Sequence, residues 1–172
     1  AAGLPISQAT GDIARPSMPL GIVHMPLATL IRRSSLPCPQ ITHDQAAELL
    51  WTHYGLAGAL KELGSQQDRN FRVDIGDGRR FVLKVCRGDY STVELAAQHA
   101  ALRHLGAQSE VRVPSVVPAN TGEDLLSVEV GGQPVHVRLL EFIDGQSLAH
   151  VEHLSRQVMI GLAELCAQWV MF

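Results

Sequence analysis

The chain has 172 residues, a formal net charge of -3, 46% hydrophobic residues and 18% charged residues, which is ordinary for one soluble globular domain. The negative charge and an aromatic content of 5% argue against a nucleic-acid-binding surface, which needs a basic field and stacking rings. The 3 cysteines are scattered without a Cys-x-x-Cys pair. Their pattern argues against a disulfide framework or a zinc site and favours a reducing cytoplasm.

The first 41 residues are predicted to be a disordered leader, because they are rich in proline and show neither helical nor strand periodicity. An alternative is translation from upstream of the true start, with Met18 and Met25 as candidate starts. The basic pair Arg32 and Arg33 follows the apolar run of this segment, which is the reverse of a secretory signal.

A helix is predicted from a capping box at Thr42 and Gln45 to about Tyr54, where Gly55 ends it. Three strands should follow, the last two joined by a tight Gly-Asp-Gly hairpin. Their predicted ranges are 59–63, 70–75 and 80–86.

A second helix is predicted from about Thr92 to Leu105, with Ser91 and Glu94 in a capping pattern. The prolines after it indicate an extended connection, and Gly131-Gly132 indicates a second hairpin. The strands of that hairpin are predicted at 125–130 and 134–143. A final helix should carry one apolar face, formed by Val158, Leu162, Leu165, Trp169 and Phe172.

This order of elements predicts an α+β fold, a five-stranded antiparallel sheet with one helix between its third and fourth strands. That is the architecture of the small lobe of a protein kinase-like fold. The chain would divide into a leader (1–41), a kinase-like N-terminal lobe (42–143), and a hinge exit with the start of a truncated C-terminal lobe (144–172).

Lys84 is the first candidate functional residue. Strand alternation places it on the face opposite Leu83 and Val85, between the apolar side chains of Val82 and Cys86. An ammonium group there must reach water or an anion, because a buried unpaired charge is very costly. An ATP phosphate would supply the anion. Taken alone, a solvent-exposed lysine on an edge strand is the simpler interpretation.

The polar loop before that strand offers small side chains and backbone amides that can fold over phosphates. Ser65, Gln66 and Asn70 belong to it. The loop is neither a Walker A motif nor the full glycine-rich loop of protein kinases. An ordinary hairpin loop explains it equally well.

The helix after the strand is expected to offer a partner that orients Lys84, as it does in kinases. Glu94 has the required charge, but its position in the cap is a sufficient structural reason for a glutamate. Gln98 shares a helix face with Leu102 and Leu105, which predicts that it faces the sheet and accepts a hydrogen bond. Charge favours Glu94 and periodicity favours Gln98.

An apolar strand ending at Glu141, Phe142 and Ile143, before Asp144-Gly145, is a candidate hinge. Its backbone groups would be available to the edge of an adenine ring. Taken alone, a strand followed by a turn explains the same residues.

In combination, these segments resemble the aminoglycoside phosphotransferase and choline kinase-like family, which has a protein kinase-like fold. The resemblance is carried, in this order and spacing, by Leu63–Val73, Phe81–Val85, Gln98–Leu105 and Val137–Gly145. Within the family the sequence is similar to the hydroxylysine kinase-like branch, whose domains are also found fused ahead of class III aminotransferases.

The resemblance implies an ATP-dependent transfer of the γ-phosphate to a hydroxyl of a small amine or amino acid. Lys84 would contact the α- and β-phosphates, and residues 65–70 would cover the triphosphate. Backbone groups of Glu141 and Ile143 would meet adenine. The acidic helix position of the family falls on Gln98, so the partner of Lys84 is replaced or shifted to Glu94.

The catalytic loop of the family is a His-Gly-Asp motif, followed by an asparagine and an aspartate that hold magnesium. No such motif occurs between Gly145 and Phe172. We therefore expect no catalytic residue in this chain, Mg²⁺ only in the full-length enzyme, a fused or downstream catalytic domain, and little activity alone. The alternatives are a non-catalytic nucleotide-binding or regulatory module, and an inactive truncated reading frame. His150 and His153 lack a third ligand, so a metal site is not predicted there.

Overall fold

The computed structural model describes residues 38–108, 112–145 and 151–170. The predicted leader lies almost wholly outside these residues, as do His150 and Phe172. The elements in chain order are α1 (His43–Tyr54), β1 (Ala59–Leu63), β2 (Arg69–Asp74), β3 (Arg80–Arg87), α2 (Thr92–Gln108), β4 (Val116–Val117), β5 (Leu126–Val130), β6 (Gln133–Glu141) and α3 (Arg156–Val170). Across the described ranges, every helix is too short or too polar to cross a bilayer.

Helix α1 begins and ends where the sequence predicts. The Gln45 amide donates to the Thr42 hydroxyl at 3.2 Å, and the Thr42 amide donates to the Gln45 side chain at 2.9 Å, so the capping box is confirmed. Gly55 ends the helix with a φ of 64°, a left-handed conformation that glycine adopts without strain. The buried residues of α1 are Ala46, Leu49, Leu50 and Tyr54.

The strands form one antiparallel sheet in the order β1-β2-β3-β6-β4, and β5 pairs with β6 as well. Strand β3 is therefore an inner strand between β2 and β6. The hairpin predicted across Gly131-Gly132 is confirmed, with φ values of 60° and 77° at the two glycines. Positive φ at both positions gives a turn whose twist matches that of the flanking strands.

Within the described residues, the sheet has one strand more than the five predicted. Strand β4 consists of Val116 and Val117, in the segment predicted to be an extended connection. The flanking prolines favour an extended backbone there. Two residues, however, are too few to show strand alternation, and their pairing with β6 is a long-range contact.

The hydrophobic core lies between α1 and one face of the sheet. The fully buried strand residues on this face are Phe71, Val73, Leu83, Val85, Val135, Val137 and Leu139. Because strand side chains alternate, Lys84 and Arg138 project from the other face. His99 of helix α2 is 2% exposed, and burial first and the charge of Arg138 second lower its pKa.

The predicted inward orientation of Gln98 is wrong. Helix α2 buries Leu95 and His99, whereas Gln98 is exposed. Leu95 and His99 are one turn apart and define the inward side, and Gln98 lies about 100° around the helix from His99. The helix is rich in alanine, so its apolar periodicity does not distinguish the buried side.

Leu83→Ala should strongly destabilise the chain, because Leu83 is fully buried at the centre of the core. We expect the free energy of unfolding to fall by about 2–5 kcal/mol. Trp51→Ala is the control: Trp51 is 64% exposed on α1, so its replacement should change stability by less than about 0.5 kcal/mol. Urea unfolding followed by circular dichroism measures both, and equal effects would contradict the assigned core.

Candidate functional site

Lys84 lies in a row of polar side chains that crosses three strands. The register sets Asn70 of β2 and Arg138 of β6 directly opposite Lys84, which brings the three side chains to one face. The Lys84 ammonium donates to Oδ1 of Asn70 at 2.9 Å and lies 3.2 Å from Oδ2 of Asp68. Its side chain is 20% exposed, so Lys84 is a shielded, paired cation on an inner strand and not a solvent-exposed edge lysine.

The loop between β1 and β2 folds back towards this face. The Asp68 amide donates to the Ser65 hydroxyl at 3.3 Å, and the Tyr90 hydroxyl bonds to the Gln67 side chain. Ser65 and Gln66 are exposed, whereas the Asp68 side chain is only 17% exposed. Asp68 is therefore the residue through which the loop reaches the sheet.

Arg138 is a buried cation next to Lys84 in the same row. It is 5% exposed, and its Nε has no hydrogen-bond partner within the described part of the chain. Taken together, Lys84, Arg138 and Asp68 carry one positive charge more than negative charge. Since a shielded unpaired cation is costly, this cluster favours an anion such as a phosphate group.

Cys86 lies two residues after Lys84, on the same face, and is 1% exposed. Burial raises the pKa of the Cys86 thiol to about 11, and the carboxylate of Asp68 adds to the increase, against the charges of Arg138 and Lys84. The thiol is therefore protonated at neutral pH. A protonated buried thiol is a packing group and a poor nucleophile.

Phe142 stands at the other end of this face. Two half-buried aliphatic side chains, Val82 and Leu140, face each other across β3 and β6, between Phe142 and Lys84. Two guanidinium groups each lie 5.7 Å from the centre of the Phe142 ring; they belong to Arg72 and Arg80. These two guanidinium groups are paired with Asp74 and Asp144. The Phe142 end of the face therefore combines aliphatic and aromatic surface with paired charges, and the other end carries the shielded cations Lys84 and Arg138.

The Glu141 side chain lies away from this face. Its carboxylate accepts from Arg112 at 2.7 Å and from Ser115 at 3.0 Å, and these bonds, Arg112 first, lower its pKa. The Glu141 amide donates to the Ser115 carbonyl at 2.9 Å. A base cannot use that amide, so the adenine contacts predicted for Glu141 and Ile143 stay predictions for the Glu141 carbonyl and the Ile143 backbone.

A cleft of about 370 Å³ beside the hinge meets the Lys84 face only at its Phe142 end, where Arg80 and Phe142 line it. Its lining includes Phe81, Val117 and Glu141, which by register lie on the core side of the sheet. Lys84 and its two partners do not line this cleft.

The antiparallel sheet with its covering helix, the paired strand lysine and the hinge define the small lobe of a kinase-like phosphotransferase. The chain belongs to the phosphotransferase enzyme family (APH), whose family model matches residues 59–168. The match extends from β1 through the loop, Lys84, α2 and the hinge into α3.

A hydroxylysine kinase from Danio rerio is 30% identical over 139 residues, which cover 75% of this chain and 38% of that protein. The structure of a microcompartment-associated aminopropanol kinase is 27% identical, with a TM-score of 0.54 over 69% of this chain and 39% of that one. Amicoumacin kinase hAmiN, solved with AMP-PNP, Ca²⁺ and Ami, is 14% identical, with a TM-score of 0.53 over 74% of this chain and 36% of that one, and supports the fold alone. This chain spans less than two fifths of the length of each.

These comparisons confirm the family and the kinase-like fold. The structure brings Asn70 to Lys84 as part of one site, but it brings neither Glu94 nor Gln98 there, because the bonds of Lys84 go to Asn70 and Asp68. The roles of all these residues towards a nucleotide stay predictions.

Sequence reasoning missed Arg138 as a site residue, and it placed Asp68 only within the loop 65–70 and not as the partner of Lys84. A feature of the sequence points to the role of each of these two residues. Asp68 has the strand parity of Asn70, and Arg138 interrupts an apolar run.

Cys86 should react far more slowly than Cys166 with an alkylating reagent. Cys166 is exposed, whereas a thiol with a pKa of about 11 is deprotonated at pH 8 to only about one part in a thousand, and the thiolate is the reactive form. Iodoacetamide labelling followed by peptide mass spectrometry measures both rates. In urea the two rates should become similar, and similar rates in the folded chain would contradict the burial of Cys86.

Proposed function

We propose that this chain forms the ATP-binding lobe of a small-molecule kinase, which transfers the γ-phosphate of ATP to a hydroxyl of a small amine or amino acid. The observation that carries the proposal is the Lys84 ammonium, held on an inner strand by an amide oxygen and a carboxylate. An ammonium has three N–H donors, and Asn70 accepts one of them, so N–H donors are left for a phosphate oxygen. The family match supports the same activity.

In this proposal the loop and the cation cluster bind the phosphates. Lys84 contacts the α- and β-phosphates, and Ser65, Gln66 and Asn70 lie over the triphosphate. The Ser65 hydroxyl accepts a bond from the Asp68 amide and keeps its own proton to donate to a phosphate oxygen. The excess positive charge that Arg138 brings favours the polyanion over a neutral ligand.

The hinge end of the same face binds the base. Val82, Leu140 and Phe142 provide apolar surface for one side of an adenine ring. The Glu141 carbonyl and the Ile143 backbone meet its polar edge. One lobe of a cleft contacts only one face of the adenine ring. Adenine is therefore bound more weakly here than in an enclosed pocket.

The names of two relatives support the proposed acceptor class. Hydroxylysine and aminopropanol, named in two of them, each carry an amine and a hydroxyl. Transfer to a hydroxyl needs a base and metal ions that neutralise the phosphates. Within the described ranges, no three His, Cys, Asp or Glu side chains are placed to hold a metal ion. The proposal therefore assigns Mg²⁺, the base and the substrate contacts to a further domain, fused or downstream.

The chain alone should bind ATP with a Kd in the high micromolar to millimolar range, on the order of a single-sided site. Lys84→Ala should weaken binding about tenfold or more, because a bond to a charged group contributes about 1.5–3 kcal/mol. Lys61 is the only other lysine and is exposed on β1, so Lys61→Ala is a matched control that should bind like the wild type. NMR titration measures affinities in this range.

Three results would contradict the proposal at different points. Sub-micromolar affinity would exclude a single-sided site. Equal binding by Lys84→Ala would remove Lys84 from it. A folded chain without any ATP binding would favour an inactive reading frame.

A further inference from the structure

Lys84 takes its carboxylate partner from the β1–β2 loop. Oδ2 of Asp68 lies 3.2 Å from the Lys84 ammonium, with the two side chains 17% and 20% exposed. Asn70, where the loop enters β2, accepts from the same ammonium at 2.9 Å. Two short contacts from neighbouring strand positions set the direction of the ammonium, and solvent screens such a shielded pair less than a surface pair.

Helix α2 does not supply this partner. In protein kinases a glutamate of that helix pairs with the strand lysine. Here Gln98 is exposed, and the short contacts of the Lys84 ammonium go to Asn70 and Asp68, neither of which belongs to α2.

We propose that Asp68 is the positioning residue that orients Lys84 for the phosphates of ATP, in place of an acidic residue of α2. This inference rests on the proposed function, which is ATP binding at Lys84. The loop that covers the phosphates then also orients the lysine beneath them, so loop position and lysine orientation change together.

The charges of Lys84, Asp68 and Arg138 indicate that Asp68 can stay in place when a phosphate binds. A phosphate would not have to displace the Asp68 carboxylate. Asn70 accepts one N–H of Lys84, and the carboxylate of Asp68 lies beside the ammonium as its ion-pair partner, so Lys84 has N–H donors for a phosphate while both contacts are kept. Asp68 is fixed by its own amide bond to Ser65. Arg138 adds a second cation, so the attraction for an anion persists with Asp68 in place.

The test compares the affinities of ATP and adenosine for the whole chain. Adenosine reports the base-binding end and the fold, and ATP adds the phosphates. Asp68→Asn should lower the ratio of ATP affinity to adenosine affinity about tenfold, with adenosine affinity unchanged. Asp68→Glu restores the charge and should recover most of the ratio. Glu94→Gln is the matched helix control and should leave the ratio unchanged.

A second measurement needs no nucleotide. Lys84→Met, Asp68→Asn and the double variant are unfolded in urea, and the shift in midpoint of the double variant should be smaller than the sum of the single shifts, because both changes remove one pair. Additive shifts with an unchanged ATP ratio would overturn the inference. An Asp68→Asn variant that binds ATP more tightly would also overturn it, by showing that Asp68 competes with phosphate.

The measurements distinguish a failure of the proposed function from a failure of the role assigned to Asp68. A wild-type chain that binds neither ATP nor adenosine refutes the proposed function, and the inference falls with it. A wild-type chain that prefers ATP, together with an Asp68→Asn variant that keeps the same preference, refutes the role of Asp68 alone.

Discussion

Strand β3 is covered on both faces, and the rest of the lobe depends on this constraint. Leu83 and Val85 are fully buried on the core side, and Cys86 is buried on the other. A polar side chain on such a strand must find a partner, because burial without one is costly. Lys84 meets this condition through Asn70 and Asp68. The shielding of this second face, opposite the core, therefore leaves Lys84 as an oriented ammonium group.

Two buried titratable groups near that ammonium, His99 and Cys86, are neutral because of their surroundings. Burial, followed by the charge of Arg138, lowers the pKa of His99, so its ring is neutral at neutral pH. Burial, followed by the charge of Asp68, raises the pKa of Cys86, so its thiol is neutral as well. Neither group adds a charge beside Lys84, whose charged neighbours are Asp68 and Arg138.

Sequence signals that are local predict this fold well, and long-range ones do not. The capping box at Thr42 and the hairpin at Gly131-Gly132 each depend on a few adjacent residues, so they can be read directly. The orientation of Gln98 depends on which side of an alanine-rich helix meets the sheet, which spacing alone does not determine. The contact between Asp68 and Lys84 depends on how a polar loop folds back, and its composition fits an ordinary hairpin equally well.

The segment before α1 contacts both the β1–β2 loop and the hydrophobic core. The Cys38 thiol lies 3.1 Å from the Gln66 carbonyl, and the Arg69 guanidinium donates to the Ile41 carbonyl at 3.3 Å. Ile41 is 2% exposed in the core, so the loop is braced from a buried residue next to the helix cap. Bracing a loop in its bound position lowers the ordering cost of binding a ligand. Under the proposed function, a lobe that covers one side of a nucleotide would depend more on such preorganisation than an enclosed pocket does, because it would have fewer contacts to offset that cost.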